Sequence, residues 1–490
     1  MDELTEQEIV RRKKIDEIKK ICNPYPDRYE ITHSLFEAST LEDETKDVSI
    51  AGRIVFMRKM GKLSFVKLRD VEGDLQISVK VDLIGEENYE FFKDNIDVGD
   101  FVGAKGEMFT THTGEKTLRV NVLTFLGKAL KPLPEKFHGL TDPELCYRHR
   151  YVDIIMNEET RKRFLTRIKF VKELRNYLDN YGYYEIETPI LNNKPSGAVA
   201  RPFISHHNAL DLDVFLRIAP ETYMKRSIVA GFTKVYEVAR CFRNEGMDAT
   251  HLQDFTMLEC YQAYFNHEDN MNFIRDLLQT IIKNIYGTLT IQVGDKYIDM
   301  GGVWPKVSFR ELIMKYANID INEFDNKEKL LNKIIAEKIE IDSDTPIENL
   351  GFGNLVDYLY KKVARPNIID PIYLTEHPTS LSPLARANDE RPEITDRFQL
   401  VVNGAEIVNG FSELVDPQEQ KRRLLEQSKL KASGDEEAMD MDNDYIEAME
   451  YGMPPISGWG MGIDRLIQLL TNSDNIKDVV MYPLMRPTDK

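Results

Sequence analysis

The sequence predicts an α+β chain in which a small β-barrel precedes a larger domain built on an antiparallel sheet flanked by helices. Three observations carry that reading. Between Val48 and Phe125 five short runs (VSIAGRIVFMRK, LSFVKLRD, DLQISVKVDL, DFVGAKGEMFTTHTG, TLRVNVLTFL) alternate apolar and polar residues around glycine-containing turns, without a long helix, as in a small closed barrel. Further on, FQLVV and AEIVNGFSEL flank Asn403-Gly404, the strongest short hairpin signal. The stretch YEVARCFRNEGMDATHLQDFTMLECY, Tyr236–Tyr261, reads as a second antiparallel pair.

Taken in order, residues 3–21 carry Ile and Leu at helical spacing among many charges and stop before Asn23-Pro24, so the extension 1–47 begins with a solvated helix. Its RRKK run is read as a solvated face rather than an RNA contact. Residues 48–127 are the barrel, and KALKPLPEKFHGL, within 128–141, is a proline-containing linker. Helices and strands mix through 142–490, with a mostly helical insertion at about 306–365.

Composition narrows the function. The chain has 490 residues, 42% of them hydrophobic, enough for two or more domains. No apolar run approaches the ~18–20 residues that span a bilayer, and the N-terminus is charged, so a cytoplasmic protein with no membrane partner is expected. A net charge of −18 argues against bulk-charge binding to nucleic acid, leaving no DNA partner and only local RNA contacts. Cys22, Cys146, Cys241 and Cys260 lack CxxC spacing and read as reduced thiols, without a zinc site.

Alternation along the Tyr236–Tyr261 pair puts Arg243 and Glu245 on one face, and Phe255, Glu259 and Tyr261 on one face of the return strand. A fixed guanidinium, an aromatic plate and acids together suit a nucleotide and a small molecule. FRNE followed by DFTMLE resembles motif 2 of the class II aminoacyl-tRNA synthetases, in the lysyl, aspartyl and asparaginyl subgroup. GWGMGIDRL at 458–466 resembles motif 3, a strand running into a helix with Arg465 at the junction, and NYGYYEIETPIL at 180–191 resembles motif 1, which in the family lies at a homodimer interface. The glycine run is G-x-G-x-G, not the dinucleotide G-x-G-x-x-G, and no P-loop is present.

The resemblance implies the fold, an N-terminal OB-fold that binds the anticodon and a class II synthetase catalytic domain, and the partners: ATP, an amino acid, its tRNA and a second copy of the chain. Which amino acid follows from charge. A site for aspartate offers cations, whereas Glu221, Glu259 and Glu413, beside Tyr261 and Asn409, offer acids, so lysine and tRNA(Lys) are expected. By the same resemblance Glu413 and Tyr261 hold the ε-ammonium, and Gly197, Glu221 and Glu259 the α-ammonium. Arg243 and Asn409 take the carboxylate, with Phe411 in the same pocket. For ATP, Arg243 meets the α-phosphate, Arg465 the distal phosphates, Phe255 stacks adenine, Glu245 accepts from its amine, and His251 lies alongside. Gly458, Gly460 and Gly462 are expected to let ATP approach the backbone. In the barrel, Arg58, Phe65, Gln76 and Glu115 match anticodon-reading positions, with the alternative that Phe65 is a core ring.

Mg²⁺ is expected with ATP, through Glu406. Here the chain departs from the family pattern, because Gln399 stands where a second carboxylate is usual. On simple hairpin pairing Gln399 opposes Val408, and Glu406 and Asn409 share a face only if a bulge separates them. Thr250, before His251, is a further departure at a position where the family often has arginine. Aspartyl or asparaginyl activation, a noncatalytic RNA-binding relative, and lysylation of a protein acceptor are the alternatives.

Overall fold

The computed structural model of the chain describes residues 4–134, 140–194, 197, 200–341, 346–347, 350–432 and 439–488. The chain divides into two compact units, Met1–Arg161 and Lys162–Lys490. Residues 135–139 of the expected linker, and 342–345 and 348–349 of the expected insertion, lie outside the described residues. Among those described, no helix is long and apolar enough to cross a membrane.

In the first unit a helix, Glu6–Ile21, starts at a capping box in which Thr5 and Glu8 satisfy each other's backbone N–H groups. Five strands follow: β1 (Val48–Met60), β2 (Leu63–Arg69), β3 (Asp74–Lys80), β4 (Phe101–Thr110) and β5 (Lys116–Gly127). They close in the order β1-β2-β3-β5-β4. Period-2 burial explains the closure, since Ser64, Val66 and Leu68 of β2 point inward while Phe65 and Lys67 are only half-buried. One expectation fails here. A helix, Glu86–Asn95, stands between β3 and β4, because Tyr89 and Phe92, three residues apart, share a helical face and join the barrel core.

The second unit is built on an eight-stranded sheet. Its strands are β6 (Tyr184–Glu185), β7 (Lys234–Phe242), β8 (Asp254–Ala263), β9 (Lys306–Ser308), β10 (Ile372–Pro378), β11 (Ile394–Val402), β12 (Ala405–Ser412) and β13 (Ile456–Gly462). Their order is β9-β10-β11-β12-β13-β8-β7-β6, antiparallel except for the parallel edge pairs β9–β10 and β7–β6. On one face the helices His267–Tyr286 and Ile463–Leu470 bury Leu277, Leu278, Ile281, Leu466 and Ile467 against Leu258, Phe398 and Trp459. Alternation then sends Glu259 and Tyr261 to the other face, where the acids collect.

The expected helical insertion contains helices Phe309–Ala317, Lys327–Ala336 and Phe352–Val363, but its first residues, Lys306–Ser308, form the edge strand β9. The β11–β12 hairpin turns at Asn403 (φ 47°) and Gly404 (φ 71°), the paired positive φ values of a type I′ turn. Its register corrects the simple pairing. Gln399 faces Asn409, Leu400 faces Val408 and Val401 faces Glu406, so Ile407 is a bulge residue. That bulge lies where Glu406 and Asn409 need it in order to share a face.

Candidate active site

A cavity of about 210 Å³ lies on the acid-bearing face of the second unit. Gly197, Glu221, Arg243, Glu245, His251, Phe255, Glu259, Tyr261, Glu406, Asn409, Phe411 and Arg465 all line it. Glu413, expected among them, lies just behind the wall and is buried.

Strand geometry fixes much of this. Phe255, Glu259 and Tyr261 project from β8 at period 2, and the Arg243 guanidinium stacks 5.0 Å from the centre of the Phe255 ring. The Nε of Arg243 is buried with no hydrogen-bond partner among the described residues, a donor poised for an anion. Glu245 is not on a strand. Regular pairing ends at Phe242 opposite Asp254, and the Arg243 N–H adds one last bond to the Gln253 carbonyl at 2.9 Å. Beyond it the chain is a loop, tied by the Gln253 amide to the carbonyls of Glu245 and Gly246 at 3.2 and 3.0 Å. Alternation in the sequence could not show where the strand stops. In the same loop Asp248 holds the His251 ring at 2.8 Å. Burial works against ionisation of Asp248, but the Thr250 N–H and His251 outweigh it and lower its pKa to about 2.

Asp464, in the first turn of the helix Ile463–Leu470, accepts the Thr256 N–H at 2.7 Å and pairs with Arg167 at 2.5 Å. This anchors the helix start to β8. Arg465, one residue on, donates to the Glu406 carbonyl at 2.8 Å. Gly458 and Gly460 make room for the acids. A β-carbon at Gly458 would lie 2.2 Å from the Tyr261 ring and 2.8 Å from Glu413, and one at Gly460 would lie 2.7 Å from the Glu259 carboxylate.

The acidic end of the cavity is tightly connected. Tyr261 donates its hydroxyl to Glu259 at 3.0 Å, which leaves its oxygen free to accept. Asn409 accepts from Arg397 Nε at 2.8 Å and so presents its amide N–H groups. Burial, helped by the charge of Glu221, raises the Glu259 pKa to about 8. Glu413 keeps Oε1 without a hydrogen-bond partner among the described residues, while its Oε2 lies 2.5 Å from Lys225 Nζ. Lys225 was not expected. Its ammonium is fully buried and also lies 2.5 Å from Glu221. The only trace in the sequence is an i,i+4 Glu–Lys spacing, which is commonplace on exposed helices.

Glu406 borders both this cavity and a neighbouring one, where Gln399 lies with Asp357, His377 and Arg397. In the barrel, Arg58 pairs with Phe65 across β1–β2, and Lys67 pairs with Gln76 across β2–β3. Gln76 donates to Thr117 at 2.9 Å, and Glu115 lies 3.7 Å from Lys67. The four expected positions therefore share one outer barrel face, and Phe65 is not a core ring.

Residues 142–486 match the family model for class II tRNA synthetases (D, K and N), and residues 48–126 match the OB-fold nucleic acid binding domain. Among curated proteins, the chain is similar over its whole length to the lysine–tRNA ligase of Pelotomaculum thermopropionicum, with 44% identity covering 96% of that relative. The lysine–tRNA ligase of Thermosipho africanus is 43% identical over 97% of the chain and 96% of its own length. That of Salmonella paratyphi B is 45% identical over 97% of the chain and 95% of its own.

Proposed function

The chain belongs to the class II aminoacyl-tRNA synthetases of the aspartyl, lysyl and asparaginyl group, and on that premise we propose how its residues carry out its reaction. It is an enzyme that activates L-lysine with ATP and transfers the lysine to the 3′ end of tRNA(Lys). The observation that carries lysine is the set of three buried carboxylates, Glu221, Glu259 and Glu413, at one end of the cavity. A second carboxylate in the substrate, as in aspartate, would face uncompensated repulsion there. ATP–pyrophosphate exchange tests this. Exchange is expected with lysine and not with aspartate or asparagine, and exchange driven by aspartate would sink the assignment.

In the first step a lysine carboxylate oxygen bonds to the α-phosphorus of ATP as the bond to the β-phosphate bridging oxygen breaks and pyrophosphate leaves. The protein holds two anions together and offsets the charge that develops. Arg243 bridges the carboxylate and the α-phosphate, and Asn409 donates to the carboxylate. Phe255 stacks the adenine, Glu245 and His251 flank the nucleotide, and Arg465 meets the distal phosphates. Glu413 and Tyr261 take the ε-ammonium beside Phe411, while Glu221, Glu259 and the Gly197 backbone take the α-ammonium. The terminal ribose hydroxyl of tRNA then attacks the adenylate carbonyl and AMP leaves.

Magnesium, when bound with ATP, offsets phosphate charge. Among the described residues no group of three or more His, Cys, Asp or Glu could hold a metal ion. Glu406 lines the cavity and would meet an ion that arrives on the nucleotide, with Gln399 in the neighbouring cavity that Glu406 also borders, since Mg²⁺ needs only one or two carboxylates when phosphates supply the rest. Gln399→Glu is expected to lower the magnesium midpoint of pyrophosphate exchange at fixed ATP. Identical midpoints would show that position 399 does not reach the ion.

The barrel, 48–127, is assigned to the anticodon and residues 142–490 to catalysis. Phe65 supplies a stacking ring, Arg58 flanks it, and Gln76 and Glu115 offer base-edge contacts. Phe65→Ala is expected to weaken tRNA charging by about 1–3 kcal/mol per lost stack while leaving exchange intact, because every residue lining the cavity lies in the other unit. An equal fall in exchange would overturn that role. The motif 1 segment, where Tyr184 and Leu191 are exposed, is assigned to a homodimer contact, and sedimentation as a monomer at working concentration would refute it. The cytoplasm, where tRNA is charged, is the proposed compartment, and cell fractionation tests it.

A further inference from the structure

Lys225 is not among the residues placed around the substrate above, yet it is a fully enclosed charge in contact with two of the acids proposed to hold lysine. It has no exposed surface. Its Nζ lies 2.5 Å from a carboxylate oxygen of Glu221, one turn back on its own helix, Glu221–Val229, and 2.5 Å from one of Glu413, just past β12. The rings of Phe411, Tyr445 and Tyr261 close around it with centroids at 5.3, 5.7 and 5.9 Å. Burial alone would discharge this ammonium, but Glu221 and Glu413 outweigh burial and keep it protonated.

The charges can be counted. Facing this pocket are Glu221 and Lys225 on the helix, Glu259 and Tyr261 on β8, Glu413 beyond β12, and Tyr445 on the helix Asn443–Glu450, with Arg243 and Arg397 nearer the carboxylate side. Three carboxylates and one ammonium leave room for two more positive charges. Lysine brings two ammonium groups, and its carboxylate is met by Arg243.

We propose that Lys225 is the pocket's own third ammonium, a positioning residue that pairs with Glu221 and Glu413 and holds both carboxylates in place, so that the charge closes only on an amino acid with two ammonium groups. This rests on the assignment of lysine as substrate. A neutral side chain of equal length would leave one buried carboxylate without a partner, which sets specificity by a missing charge as well as by contacts. In the empty pocket burial pushes both Glu259 and Glu413 toward their protonated forms, and an incoming ammonium favours release of a proton from these acids.

Calorimetric titration of the full-length protein with lysine at pH 7, in buffers of different ionisation enthalpy, counts the protons released. The wild type should release about one and Lys225→Met about two, because without Lys225 a second carboxylate must be protonated in the empty site. In exchange assays Lys225→Met should raise the lysine KM by roughly tenfold or more at pH 7 with the ATP KM unchanged, and the defect should shrink as pH rises to about 8.5. Lys225→Gln should behave alike. A proton count and lysine KM equal to wild type would reduce Lys225 to a space-filling role. Should neither variant fold, the wild-type count decides, since release of two protons would mean that Lys225 does not compensate. Lysine-independent exchange by the wild type would instead overturn the substrate assignment.

Discussion

Replacing Arg243 by Gln is expected to reduce lysine-dependent pyrophosphate exchange by at least roughly 10³-fold in kcat/KM, about 4 kcal/mol of transition-state stabilisation. The guanidinium is fixed before substrate arrives. It stacks on Phe255, and its buried Nε has no partner among the described residues. A donor preorganised in this way strengthens as charge builds on the α-phosphate and needs no reorganisation at that moment. Gln keeps hydrogen-bonding capacity but loses both the charge and the bidentate fork. Steady-state exchange, with adenylate formation followed in a single turnover, separates the chemical step from binding. A loss confined to the ATP KM would show that Arg243 only binds nucleotide.

Glu413→Gln is expected to raise the lysine KM by about thirtyfold to several thousandfold, on the order of 2–5 kcal/mol, while the ATP KM changes little. The carboxylate is buried just behind the cavity wall, with Oε1 lacking a hydrogen-bond partner among the described residues and Oε2 beside Lys225. Its neutral isostere leaves the substrate ε-ammonium and Lys225 sharing fewer negative charges in a dry site, where a lost counter-charge costs most. Equal losses for lysine and ATP would make Glu413 a structural residue.

The sequence made some of this legible and hid the rest for identifiable reasons. Five alternating runs and the Asn403-Gly404 turn announce the barrel and the hairpin, because period-2 burial and paired positive φ leave direct traces in residue type. The face shared by Phe255, Glu259 and Tyr261 follows from alternation alone. Alternation says nothing of where a strand ends, so it carries the strand on to Glu245, whereas β7 ends at Phe242 and Glu245 lies in a loop. Pairing by counting from the turn set Gln399 against Val408, whereas the ladder sets it against Asn409. Gly458 and Gly460 announced a close approach without saying by what. Lys225 was invisible, since a Glu–Lys pair one helical turn apart looks the same whether water or two buried acids surround it.

Ile407 gives β12 something like a frameshift. Upstream of it Glu406, proposed to meet the phosphates, and downstream Asn409 and Phe411, proposed to meet the amino acid, line one cavity, although an uninterrupted period of two would send Glu406 and Asn409 to opposite faces. The number of residues between Glu406 and Asn409 is therefore as much a part of the active site as their identities. A strand shortened by Ile407 alone would keep Glu406, Asn409 and Phe411 and pair without interruption, yet Glu406 and Asn409 would then face opposite sides of the sheet.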